Sequence, residues 1–128
     1  MSDVLKPLAQ ILVIDDEQAI LSLAERILSK AGYTVLTAGG GEMGVLMYEK
    51  HGARIDMVIL DMVMPDMDGA ETFEKIKQIN PNVKVMLSSG YSIDGKAGTL
   101  LAKGIREFVQ KPFNITDLCD SVRRTLDD

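Results

Sequence analysis

Five short apolar runs punctuate the chain, each closed by polar or turn-forming residues: 10–14 (QILVI), 34–37 (TVLT), 57–60 (MVIL), 83–87 (VKVML) and 107–110 (EFVQ). Such runs predict strands, and the continuous ones predict strands buried on both faces. Between them the apolar period lengthens. Ile20, Leu21, Ala24, Ile27, Leu28 and Ala31 repeat at helical spacing, and Gly32 stops the pattern. A second helix is expected over 42–51, with Val45, Leu46 and Tyr48 as a modest apolar stripe and Gly52 as its end. Asp68 is placed to cap a third, with Phe73, Ile76 and Ile79 on one face and Pro81 closing it. A fourth is expected over 92–103, where Gly95 and Gly98 each weaken it by roughly 1 kcal/mol relative to Ala and make it soft. Asn114, with Asp117 three residues on, caps a last helix whose buried stripe reads Ile115, Leu118, Val122 and Leu126.

Five strand-then-helix units in strict alternation predict an α/β chain: one doubly wound domain over 10–127, with helices on both faces of a five-stranded parallel sheet. Residues 1–9 carry no period and read as a tail or linker. There are no internal repeats. Parallel strands bring their carboxyl ends to one edge, which is where open α/β sheets bind ligands. The groups expected there are Asp15 and Asp16 after the first strand, Asp61 after the third, Ser88 after the fourth and Lys111 after the fifth. Between Ser88 and Ser89, the expected register favours Ser88.

These groups make coherent chemistry. Three adjacent carboxylates repel by about 1 kcal/mol per pair at 4 Å in water, and several-fold more near a low-dielectric surface. Lys111 supplies one compensating charge and a divalent cation would supply the rest. Mg²⁺ suits one or two carboxylates plus waters and phosphate oxygens. Asp61 beside such a cation can act as a nucleophile on phosphorus, giving an acyl phosphate. The equatorial oxygens of the transition state would be met by the cation, Lys111 and the Ser88 hydroxyl.

Composition removes competitors. Apolar residues make up 46% of the 128, which argues against disorder. A net charge of −5 argues against direct nucleic-acid binding. No run approaches a membrane span and no signal peptide is visible. One cysteine, Cys119, and one histidine, His51, leave no soft-metal site and no internal disulfide, and fit a reducing cytoplasm. Gly39–Gly41 is not a phosphate loop, since no Gly-Lys-Ser/Thr follows.

The acidic pair Asp15-Asp16, Asp61 with the following MPDMDG loop, Ser88, and Lys111-Pro112-Phe113 occur in the order and at the strand ends found in one family. Over residues 10–126 the chain resembles the receiver domain of bacterial two-component response regulators. The resemblance implies a flavodoxin-like (βα)5 fold with strand order 2-1-3-4-5 and Asp61 as phosphoacceptor. It implies Mg²⁺ held by Asp16, Asp61 and the backbone carbonyl of Val63, with Asp15 acting mainly through a water. Ser88 would bond the phosphoryl group and Lys111 would pair with its oxygen. Lys111-Pro112 would be cis, and Phe108 would match the switch aromatic, turning inward as the face of the fourth helix, fifth strand and fifth helix repacks. The implied partners are a sensor histidine kinase or phosphotransfer domain upstream and an unspecified protein downstream. The chain would catalyse its own phosphoryl transfer and dephosphorylation rather than act on a metabolite.

Departures from the family pattern are instructive. Serine stands where threonine is common. Val63 and Gly90, two residues past Asp61 and Ser88, offer no polar side chain to a hydrolytic water, so neither side chain is expected to assist dephosphorylation. The SSGYS and QKPF segments look most like receivers attached to hybrid kinases, so the chain reads as a stand-alone regulator or a piece of a larger protein. Two other classes compete. A receiver used only for docking would normally lack the acidic pair or the acceptor. A Mg²⁺ phosphohydrolase of the haloacid-dehalogenase type would need Asp-x-Asp on one strand, and Asp61 is followed at that spacing by Val63. A flavodoxin is disfavoured by the acidic first loop.

Overall fold

The two-sided burial of the apolar runs is realised as one parallel sheet. The computed structural model describes residues 9–90 and 94–127. Its strands are β1 Gln10–Ile14, β2 Thr34–Ala38, β3 Met57–Asp61, β4 Val85–Ser89 and β5 Glu107–Gln110. The helices are α1 Gln18–Lys30, α2 Gly41–His51, α3 Gly69–Ile79, α4 Asp94–Lys103 and α5 Ile115–Asp127, with a short 3-10 turn at Gly52–Arg54. The strand order is β2-β1-β3-β4-β5, all parallel, as expected. Most of the predicted tail and the first residues of the predicted fourth helix (Ser92 onward) lie outside the described residues.

Alternation along each strand builds two cores. Ile11, Val13, Met57, Ile59, Met86 and Val109 face α1 and α5, meeting Leu21, Ala24, Leu28, Leu118 and Val122. Leu12, Ile14, Val58, Leu60, Val85 and Leu87 face the other way, onto Tyr48, Phe73, Ile76 and Leu100. At about 25 cal/mol per Å² of apolar surface, side chains buried this fully contribute roughly 2 kcal/mol each before entropy is counted. Asp68 caps α3 by accepting from the Glu71 amide at 2.8 Å, and Asn114 caps α5 by accepting from the Asp117 amide at 2.7 Å.

Several expectations shift. The fourth strand begins at Val85 and runs through Ser89, two residues later than predicted. Asn80 is the cause: its side chain and carbonyl accept from the amides of Asn82 and Val83, holding Val83 in a turn although it is apolar and buried. In α2 the core-facing residues are Gly41, Gly44 and Tyr48, whereas Leu46 is exposed. A Cβ on Gly44 would lie 2.4 Å from Ile14 Cδ1, so glycine lets this helix sit directly on β1. Ile79 and Ile115 are exposed. The stripe of α5 is completed instead by Ser121 and Thr125, the Thr125 hydroxyl donating to the Ser121 carbonyl at 2.8 Å.

Candidate functional site

The site lies where the strands end. β1 and β3 pair up to Ile14 and Leu60, so Asp15 and Asp61 leave the sheet side by side. The Asp15 amide still donates to Ala38 at 3.1 Å, which keeps Asp15 buried, while Asp16 one residue on is exposed. Asp15 Oδ1 accepts from the Glu17 amide at 2.9 Å and opens the turn into α1. Gly69 fixes the other wall. Its amide donates to the Met62 carbonyl at 2.8 Å, and a Cβ there would stand 2.7 Å from the Asp61 carbonyl oxygen. Replacing Gly69 with alanine is therefore expected to cost about 1–3 kcal/mol in urea unfolding and to displace the Asp61 backbone.

Lys111 reaches the cluster from β5. Its amide donates to Ser89 at 2.7 Å, the Lys111-Pro112 peptide is cis, and Phe113 is buried in the α1/α5 core. The ammonium nitrogen lies 2.8 Å from Asp15 Oδ2, 3.2 Å from Asp61 Oδ1 and 3.5 Å from Glu17 Oε1. Burial works to lower the ammonium pKa, but the hydrogen bond and charge of Asp15, with those of Asp61, outweigh it and the pKa is raised. Asp61 moves the opposite way from a simple ion pair. Burial and the negative charge of Asp15 push its carboxyl from 3.8 to about 6, against the pull of Lys111.

One ammonium does not neutralise this cluster. One carboxylate oxygen from each of Asp15, Asp16 and Asp61 lies within 4.8 Å of the others. Asp15 Oδ2 is buried, and its close contact is the Lys111 ammonium at 2.8 Å. An all-oxygen donor set with three carboxylates set against this one ammonium fits a hard divalent cation. The residues thus suit the predicted metal.

Of the two serines that end β4, the structure brings Ser89, and not the expected Ser88, to the cleft. A cleft of about 390 Å³ is lined by Asp16, Glu17, Asp61, Val63, Ser89, Gly90 and Lys111. Ser89 lines it and Ser88 does not. β4 pairs Leu87 with Phe108 and Ser89 with Gln110, so Ser89 and Phe108 lie on one sheet face, that of the Tyr48–Phe73 core. Ser88 pairs with Asp61 and Val109 and is buried on the α1/α5 side. β4 runs on through both serines, which therefore face opposite sides of the sheet. Phe108 is half-buried against the α2–α4 core. Asp66, unassigned from sequence, accepts from the amides of Gly41 and Glu42 at 3.3 and 3.0 Å, capping α2 from 25 residues away. These bonds hold its carboxyl below the usual range.

Comparison with known proteins agrees with this geometry. A family model described as the response regulator receiver domain matches residues 11–123. Sensor kinase CckA of Brucella abortus is 34% identical over 119 residues, covering 93% of this chain but 13% of that protein. Chemotaxis protein CheY of Bacillus subtilis is 29% identical, covering 91% of this chain and 97% of that one. Among solved structures, a receiver domain protein from Clostridium thermocellum superposes with TM-score 0.88 at 33% identity, over 94% of this chain and 95% of its own. The receiver domain of hybrid histidine kinase CckA gives 0.78 at 33% identity, over 92% and 99%. Among the described residues, no helix is long and apolar enough to cross a membrane.

Proposed function

This chain belongs to the response regulator receiver domain family, and from that premise we propose that Asp61 is its phosphoacceptor, charged by a phosphohistidine of a sensor histidine kinase or phosphotransfer domain. The observation that carries the proposal is Lys111 Nζ within 3.2 Å of both Asp15 and Asp61, at the edge of an acidic cleft. An Asp61 carboxylate oxygen bonds to phosphorus as the P–N bond breaks, and the imidazole nitrogen keeps the bonding pair. Lys111, already beside Asp61, moves its hydrogen bond to a phosphoryl oxygen. Asp16, Asp61 and the Val63 carbonyl, with Asp15 through a water, would hold Mg²⁺, which supplies positive charge to the phosphoryl oxygens. A carboxyl with a pKa near 6 is mostly ionised at pH 7, as a nucleophile must be.

The test is intact mass after incubation with acetyl phosphate. One Mg²⁺-dependent phosphoryl adduct, mapped to Asp61, is expected. Mg²⁺ binding without an adduct would point to a docking-only receiver. Sustained phosphate release over many turnovers, with no adduct accumulating on Asp61, would point to a hydrolase.

The same proposal assigns the phosphoryl-bonding hydroxyl to Ser89 rather than Ser88. Ser89 shares the cleft with Asp61 and the sheet face with Phe108, so movement of its hydroxyl toward the phosphoryl group opens space beside the aromatic ring. Phosphorylation adds about two charges locally and biases this two-state element. In Ser89→Ala, beryllofluoride should shift few NMR signals around Phe108, while Ser88→Ala should respond like wild type. The reverse pattern would restore Ser88.

A further inference from the structure

Glu17 is the acid that the chemistry above leaves over. Its backbone carbonyl opens α1, accepting from the amides of Ile20 and Leu21 at 3.0 and 3.1 Å, but its side chain makes no capping hydrogen bond. That side chain lines the Asp61 cleft, with Oε1 3.5 Å from Lys111 Nζ, and stays 62% exposed. Counting charges gives the consequence. Lys111 and a divalent cation bring three positive charges, which balance Asp15, Asp16 and Asp61. Among the described residues, Glu17 is a fourth carboxylate with no cation of its own. Sharing Lys111 at the longest of three distances, it leaves the mouth of the loaded cleft negative.

We propose that Glu17 is a charge gate on the phosphoryl donor. It disfavours small, freely diffusing dianions and leaves Asp61 to phosphohistidine presented on a protein surface with positive charge opposite Glu17. The proposal rests on Asp61 being the acceptor. The gate acts on the approach of charge, not on bond making. With acetyl phosphate, a dianion at neutral pH, Asp61 oxygen bonds to phosphorus and acetate leaves with the electron pair of the broken P–O bond. With phosphoramidate, a monoanion whose nitrogen already carries the extra proton, the P–N bond breaks and ammonia leaves. Glu17 should therefore oppose the first donor more strongly than the second.

The experiment follows adduct formation by intact mass for the full chain, Glu17→Gln and Glu17→Asp, with saturating Mg²⁺. At low salt, Glu17→Gln should react with acetyl phosphate about three- to tenfold faster than wild type, given one unit charge removed near the path of a dianion. The gain with phosphoramidate should be about the square root of that factor. Glu17→Asp should behave as wild type. In 0.5 M salt, where screening acts over about 4 Å, the gain should shrink. An equal change with both donors, or one indifferent to salt, would overturn the gate and make Glu17 a positioning residue for Lys111. Complete absence of an Asp61-dependent adduct in wild type would overturn the acceptor reading and the gate together. An adduct with an unchanged donor ratio would overturn the gate alone.

Discussion

Replacing Lys111 with methionine should destabilise the metal-free fold by about 3–5 kcal/mol at pH 7, because it strips two buried carboxylates of the ammonium that lies against them. Methionine keeps much of the apolar stem, so the loss reports charge rather than volume. Lys111 is just 10% exposed and its two nearest partners, Asp15 and Asp61, are 1% and 5% exposed, so solvent screens little of the effect. The pH dependence has a definite sign. Lys111 pulls the Asp61 pKa down from where burial and Asp15 would set it, so the variant's folded-state value lies above the present 6 or so. The unfolded chain keeps about 3.8. Between those values the folded variant binds a proton that the unfolded chain does not, so this part of its deficit shrinks as pH falls from 7 toward 5. Millimolar Mg²⁺ should recover part of the loss by mass action on the folded state. Urea unfolding at pH 7 and pH 5, with and without Mg²⁺, checks both effects. A deficit equal under all four conditions would mean that Lys111 matters through packing.

Replacing Asp61 with asparagine should abolish the phosphoryl adduct and at the same time stabilise the metal-free protein. An acid whose pKa is raised on folding opposes folding once it ionises. The cost is absent below about pH 3.8 and complete above the folded-state value of about 6. That interval corresponds to roughly 3 kcal/mol at pH 7, an upper figure because asparagine interacts more weakly with Lys111. Thermal unfolding at pH 7 should show a rise of about 5 °C or more, vanishing near pH 4. Adding Mg²⁺ should narrow the gap, since a cation relieves the wild-type repulsion. No rise at pH 7 would mean that the cluster is neutralised some other way. In that case the metal requirement of the acceptor would need another explanation.

The scaffold was legible because it rests on continuous apolar runs. Ile11–Ile14 and 57–60 can only be central strands, and a carboxylate directly after each must emerge at the same edge. Lys111 was legible for the same reason, through the register of β5. What failed were features set by contacts across the fold. Val83 is apolar and buried, yet Asn80 claims it for a turn, and no local period reveals that. Ser88 and Ser89 are adjacent in β4 and face opposite sides of the sheet, and an apolar run alone does not say which of the two meets the cleft. Gly44 carries no hydrophobic signal, although close approach to Ile14 makes it the centre of the buried face of α2. Glu17 stood in plain view as the third acid of Asp15-Asp16-Glu17. Its entry into the cleft depends on Lys111, 94 residues away.

The three ties on the loop after Asp61 bear on what lengths this loop can have. Surface loops generally absorb insertions and deletions because little holds them. Here Gly69 is bonded back to Met62, Asp66 is spent on the amides of α2, and Asp68 is spent on α3. The chain between Met62 and Gly69 must therefore satisfy three separate anchors in one path. Adding or removing a single residue there breaks at least one of them. Sequences that share this architecture should vary freely in the length of other connections and hardly at all in this one.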